Sequence, residues 1–208
     1  MMKVLNLYSG IGGNRKLWEN VDVTAVEFNP EIAAIYKDHF PNDNVIIGDA
    51  HEFLINNYKD YDFIWASPPC PTHSRARFWG SHREDTKEIY PDMRLYQEII
   101  FLKHYAKKMW CVENVVPYYE PLINAKQLER HLFWTNFSIP LKDFGNKNFP
   151  KDSITEMQQI LGFDLTRYKI KDKQKLLRNC VNPKLGLHIF NCAIGNNVKD
   201  VHFFGEMI

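Results

Sequence analysis

Two side chains in this sequence are of types that can do covalent chemistry. Cys70 stands behind Pro68 and Pro69 in "SPPC", just past the apolar run Phe63–Ala66. Each proline lacks a backbone N–H and fixes φ, so the chain leaves any sheet there. Cys70 then sits on a stiff turn at a strand's C-terminal end, the edge where open α/β sheets bind ligands. A thiol is already a few per cent thiolate near about pH 7 and needs little activation as a nucleophile. Glu113, in "CVENV", follows a second apolar run, Met109–Val112. If the two strands are neighbours, a thiol and a carboxyl face one crevice, and a carboxyl buried there can stay protonated as an acid. On "PPC" alone, a buried structural cysteine is the commoner outcome.

A third group suits a nucleoside. "LYSGIGG", Leu7 to Gly13, follows a strand-like run, and its glycines let a ligand approach the backbone closely. Glu27 ends the next strand, where an acid can accept both ribose hydroxyls. Asp49 ends the third and can accept from an adenine amino group. This spacing leaves NAD and S-adenosylmethionine both open, although the third glycine of G-x-G-x-x-G is replaced by Arg15.

The elements that must position these groups follow from periodicity. Strands are expected at Lys3–Tyr8, Val21–Glu27, Val45–Ile47, Phe63–Ala66 and Met109–Val112, with another at Leu132–Trp134. Helices are expected at Asn14–Asn20, from Pro30 behind the cap Asn29, at His51–Tyr58, Asp92–Ala106, Ser153–Leu161 and Pro183–Ala193. This alternation predicts an α/β fold with a mainly parallel sheet. Ser67–Pro91 is a long aperiodic stretch, a length that is usually functional or mobile.

At 208 residues, 45% of them hydrophobic, the chain suits one domain with a core that needs no disulfides. The cysteines show no CxxC pair and no metal-ligand spacing, which fits a reducing cytoplasm and no metal. No signal peptide and no membrane span are evident, since no apolar run approaches roughly 18 residues. Net charge is only +1, but a basic run spans Arg167 to Arg178 and a basic, aromatic segment spans Ser74 to Arg83. Solvated surface and phosphate contact are both open for these runs.

Taken in order, the motifs resemble the cytosine-5 DNA methyltransferases, above all their small phage- and prophage-type members. "YSGIGG", comprising Tyr8, Ser9, Gly10, Ile11, Gly12 and Gly13, is similar to the family's first motif. "VEFNP" is similar to the second, with Glu27 as the ribose acid beside Phe28 and Asn29. "GDA", ending in Asp49 and Ala50, is similar to the third. "SPPC" is similar to the nucleophile motif, with Pro68 beside the cofactor. "ENV", Glu113 to Val115, matches the motif that holds the cytosine, with Asn114 in it. "ITEMQQILGF", from Ile154, resembles the helix before the last motif. "RNCVNPKL", from Arg178, resembles that last motif, which brings Asn179 and Val181 to the cofactor wall.

The resemblance implies a Rossmann-like methyltransferase fold with helices on both faces of the sheet, in a single catalytic domain over 1–208. It implies S-adenosylmethionine as cofactor and a flipped-out cytosine of DNA as substrate. Cys70 would attack carbon 6, protonated Glu113 would donate to N3, and carbon 5 would take the methyl group. Ser74, Arg75, Arg77 and Arg83 would hold phosphates over the flipped base.

Two departures stand out. "LERHLFWTN" keeps Arg130 from an arginine-rich family motif and replaces the rest. Only Phe137–Ser153 remains where a target-recognition domain normally lies, so a loop, the basic run or a second protein chain would have to read the target. Rival readings are a cytosine-5 methyltransferase of transfer RNA, a catalytically idle module that binds S-adenosylmethionine or DNA, and a nucleotide-dependent oxidoreductase.

Overall fold

The computed structural model describes residues 1–78, 87–144 and 153–195. Seven strands form one sheet: β1 (Met2–Leu7), β2 (Val21–Glu27), β3 (Asn44–Ile47), β4 (Phe63–Ala66), β5 (Met109–Val115), β6 (Lys126–Leu128) and β7 (His131–Thr135). Their order is β3-β2-β1-β4-β5-β7-β6. The first five run parallel, whereas β7 is antiparallel to both of its neighbours. The architecture is a Rossmann-like α/β sheet.

The central strands are apolar on both faces because both are covered. In β4 the side chains of Phe63 and Trp65 pack with Trp18, Leu185 and Phe190, while Ile64 and Ala66 pack with Leu54, Leu95 and Ile99. The first face is closed by α6 (Pro183–Ala193). The second is closed by α2 (Ala50–Asn57) and α3 (Arg94–Tyr105). A third cluster joins Ile11 and Ile35 of α1 (Pro30–His39) to α4 (Ile154–Leu161) and α5 (Lys173–Arg178) through Met157, Leu161 and Leu177. Asn29 caps α1, its Oδ1 accepting from Glu31 N at 2.8 Å, and Ser153 caps α4.

The helix expected at Asn14–Asn20 does not form, and residues 13–17 make a turn instead. So short a helix gains little from its own hydrogen bonds, and tertiary partners win. Trp18 stacks on Phe190 with ring centroids 5.1 Å apart, and Arg15 donates to Asp43 at 2.9 Å. Asn14 donates to the buried Asn6 side chain at 2.8 Å. Gly186 makes this possible: a Cβ there would lie 2.4 Å from the Asn14 carbonyl oxygen.

Two further differences concern the later half. β5 extends three residues past Val112, because β7 pairs with it as far as Val115. Glu113 is therefore inside a strand rather than at its end. The basic run contains a short helix, α5, capped by Asp172, whose Oδ1 accepts from Lys175 N at 2.8 Å. Arg83 and residues 145–152 of the expected recognition segment lie outside the described residues. The described part of that segment packs on α6, with Ile139 buried and the Pro140 carbonyl accepting from His188 at 3.0 Å.

Candidate active site

The strand order turns between β1 and β4, and their aligned ends, Leu7 and Ala66, open a crevice at the carboxyl edge. A cavity of about 360 Å³ occupies it. Its walls bring together residues from five of the seven quoted motifs, and "GDA" and "ITEMQQILGF" contribute none. The glycine turn contributes Tyr8, Ser9, Gly10, Ile11 and Gly13, and the β2 end contributes Glu27 and Phe28. Pro68 and Cys70 come from the proline turn, Glu113 and Asn114 from β5, Arg130 from the β6–β7 turn, and Asn179 and Val181 from the segment after α5.

At one end, Glu27 ties two loops together. Its Oε2 accepts from Gly10 N at 3.0 Å and its Oε1 from Asn29 N at 2.9 Å. Tyr8 takes a left-handed backbone, φ 55°, that turns its side chain onto Glu98 of α3. Burial, then the Glu98 carboxylate, push the Tyr8 hydroxyl pKa up. His51 shares Glu98 at 2.9 Å. Phe28 lines the cavity and is 76% exposed.

At the other end, the proline turn is braced on β5. Asn114 Nδ2 donates to the Pro68 carbonyl at 2.9 Å, and the Trp65 indole donates to Ser67 Oγ at 2.8 Å. The Cys70 carbonyl accepts from His73 N and Ser74 N, both at 3.0 Å, which curls the chain so that Cys70 faces the cavity. Burial pushes the Cys70 thiol up, and the nearby Glu113 adds to the shift, while Arg130 and Lys175 oppose it. That mutual influence puts thiol and carboxyl in one electrostatic neighbourhood.

The sign of that shift yields an expected result. The thiolate is the reactive form, so a raised pKa leaves less of it at neutral pH. Iodoacetamide should alkylate Cys70 of the ligand-free protein more slowly than a free thiol at neutral pH. The rate should keep rising as pH passes the ordinary thiol value of 9.0. Mass spectrometry of the Cys70 peptide across pH reads this out, and a plateau below that value would contradict it.

Several expected site residues lie off the cavity wall. Gly12 faces the core, where a Cβ would meet the Phe40 ring at 2.3 Å. Asn29 caps α1. Asp49 caps α2 through Oδ1, with Arg94 3.7 Å from its Oδ2, and Ala50 is buried. Ser74 bridges to Pro117. Arg75 donates to the Pro117 carbonyl at 2.9 Å and Arg77 to the Lys87 carbonyl at 2.6 Å. Both arginines thus fasten the loop in the protein alone. Arg130 lines the cavity and donates to the carbonyls of Arg178 at 2.7 Å and Cys180 at 3.3 Å, stitching the hairpin to the opposite wall. Burial lowers its pKa, opposed first by Glu113.

Lys175 and His131 are among the wall residues that the sequence did not mark as site residues. Lys175 belongs to the basic run but was not singled out from it. His131 adjoins Arg130 and places Nδ1 2.5 Å from Glu113 Oε1. Only the pairing of β5 with β7 reveals it.

Comparison with known proteins bears on this arrangement. The family model for C-5 cytosine-specific DNA methylase matches residues 2–131. A tRNA (cytosine(38)-C(5))-methyltransferase of Spodoptera frugiperda is 34% identical over 80 residues, 35% of this chain and 24% of that protein. The chain thus spans about a quarter of that curated relative's length. Among solved structures, a Spodoptera frugiperda DNMT2 mutant is 26% identical, with TM-score 0.38, covering 55% of this chain and 36% of that one. A candidate DNA modification methyltransferase encoded within an E. coli prophage is 20% identical, with TM-score 0.39, covering 58% and 34%. The matched family segment runs through the glycine turn, the proline turn, Glu113 and Arg130, and it takes in well over half of the chain. The chain belongs to the C-5 cytosine-specific DNA methylase family, whose cofactor is S-adenosylmethionine.

Proposed function

We propose that this protein transfers a methyl group from S-adenosylmethionine to carbon 5 of cytosine in DNA, through a covalent adduct at Cys70. One observation carries the reading: Cys70, Glu113 and the residues suited to a nucleoside line a single cavity.

The nucleoside end fits the cofactor. Ser9 Oγ is buried there without a hydrogen-bond partner, and the Phe28 ring stands open to stack on a base. Glu27 is placed to accept the ribose hydroxyls while keeping its two backbone donors, and Asn179 and Val181 close the opposite side. When bound, the cofactor supplies an electrophilic methyl group on a sulfonium. Replacing Glu27 by alanine removes a charged acceptor and the tie between two loops. A charged hydrogen bond contributes roughly 1.5–3 kcal/mol. S-adenosylmethionine affinity, read by calorimetry, is therefore expected to fall about 10- to 100-fold, and unchanged affinity would contradict the assignment.

At the nucleic-acid end, Cys70 adds to carbon 6 as the thiolate, its proton having gone to solvent, and Glu113 gives its proton to N3, which returns it when the thiolate leaves. Carbon 5 becomes the nucleophile, and after methylation the loss of its proton expels the thiolate. A cytosine stacked in a duplex cannot meet both groups, so it must be flipped out, at a cost of a few kcal/mol. The exposed side chains of Lys175 and Arg178 on the cavity rim are suited to the phosphates beside it. We read 1–208 as one catalytic domain, with a second protein chain or a second copy of this one as a candidate to take part in target selection.

The Spodoptera relative gives a second reading, cytosine in transfer RNA. Transfer of labelled methyl to duplex DNA, single-stranded DNA and transfer RNA, run side by side, separates the two. Labelling of DNA with none of transfer RNA is the expected result. The reverse would move the substrate, and labelling of neither would end the methyltransferase reading.

A further inference from the structure

We propose that His131 is the positioning residue for Glu113: its Nδ1–H holds Oε1 as an acceptor and leaves the carboxyl proton on Oε2. The inference rests on the reading of Glu113 as the proton donor to cytosine, and deepens it.

The juxtaposition comes from strand register. Glu113 of β5 lies opposite Phe133 of β7, and Val115 lies opposite His131. Side chains alternate along a strand, so Glu113, Val115, His131 and Phe133 all project from one face. Glu113 and His131 are diagonal neighbours there, within reach of long side chains. Both are buried, at 6% and 4% exposure, and both line the cavity.

Among the described residues, His131 is the sole hydrogen-bond partner of the Glu113 side chain, and it uses only Oε1. Oε2 makes no such bond, yet it is not among the buried polar atoms left without a partner. It therefore retains contact with the open cavity, where a substrate would stand. Arg130, the charged neighbour of His131, directs its guanidinium to the Arg178 and Cys180 carbonyls. The imidazole bond to Oε1 fixes how the carboxyl is turned.

Which ring nitrogen carries the proton decides the chemistry. With the proton on Nδ1, the ring donates to Oε1, and a protonated Glu113 carries its hydrogen on Oε2, facing N3. With Nδ1 bare, Glu113 would donate from Oε1 to the ring. Oε2 would then present lone pairs to the lone pair of N3, with no proton to give. A carboxyl held in the wrong protonation geometry is a poor general acid even when its pKa is suitable.

The test has a spectroscopic and a kinetic arm. Nitrogen NMR of isotope-labelled imidazoles, with His131 identified by its loss in His131→Asn, should show a proton on Nδ1 and none on Nε2 in the parent protein, since a doubly protonated ring would face an ionised Glu113 with no proton to give. A bare Nδ1 overturns the proposal whether or not the protein is active. In the kinetic arm, His131→Leu, which cannot donate, should lose about 100-fold in kcat. KM for nucleic acid and S-adenosylmethionine affinity should stay within about threefold. His131→Asn, whose amide can place an N–H near the lost Nδ1–H, should recover about tenfold or more of that loss. Equal losses in the two variants, or a loss under about threefold in His131→Leu, overturn the proposal. Glu113→Gln at the parent's rate would instead sink the acid assignment, and this inference with it. A disabled Glu113→Gln beside an indifferent His131→Leu would sink the positioning role alone.

Discussion

A Cys70→Ala variant is expected to bind S-adenosylmethionine with the parent's affinity and to transfer methyl about 10,000-fold more slowly or worse, the scale on which removing a catalytic nucleophile acts. Without addition at carbon 6, carbon 5 of cytosine is part of an aromatic ring and has no electron pair to offer the methyl group. No neighbouring group can take over. Cys180 also lines the cavity, but burial pushes its thiol up to about 12, and Cys111 is fully buried in the sheet. The fold should tolerate the change, because Cys70 is only half-buried and its turn is held by backbone bonds to His73 and Ser74. Two measurements check the result. Labelled methyl transfer should vanish, and denaturant-stable trapping on DNA containing 5-fluorocytosine should vanish with it. Trapping that survived the substitution would place the nucleophile elsewhere.

Glu113→Gln is expected to cost about 1,000-fold in kcat, or about 4 kcal/mol of barrier. The size follows from what the thiol cannot supply. Converting Cys70 wholly to thiolate would gain roughly 30-fold, or about 2 kcal/mol, whereas enzymes supply about 8 kcal/mol or more. Burial holds Cys70 on the thiol side, so even that gain is not freely available in the ligand-free protein. Drawing charge off the pyrimidine through N3 must therefore carry much of the acceleration. Glutamine keeps the shape and an acceptor for the bond to His131, so the fold and S-adenosylmethionine binding should persist. It has no acidic proton to deliver. Single-turnover transfer compared with cofactor calorimetry separates the two effects. A variant within about threefold of the parent would remove Glu113 from the mechanism.

Some of this protein was legible residue by residue. The glycine turn, the fully apolar FIWA strand and the two prolines are local devices, and each acts through its own backbone. Pro68 and Pro69 end a strand in any setting, and Gly10, with φ 53°, occupies a conformation that most residues avoid. Cys70 and the residues around Glu27 could therefore be placed at strand ends from their neighbours in sequence. Asn14–Asn20 could not. Its conformation is settled by Phe190, Asp43 and Asn6, all remote in sequence, and no local pattern announces them.

The sequence by itself put a thiol, a carboxyl and a glycine turn near the carboxyl ends of strands, because βαβ connectivity carries parallel strand ends to the same side; that β4 and β5 are neighbours was decided by the strand order. The tertiary structure alone decided which side chain touches the carboxyl. Arg130 and His131 are adjacent in the chain, and strand alternation allows only one of them to share the face of Glu113. The choice is made by the register of β7 against β5, set at the tight β6–β7 turn where Glu129 adopts a left-handed backbone of φ 52°. A slip of one residue would exchange the two. Register is a property of the paired strands, and a single strand's sequence does not contain it.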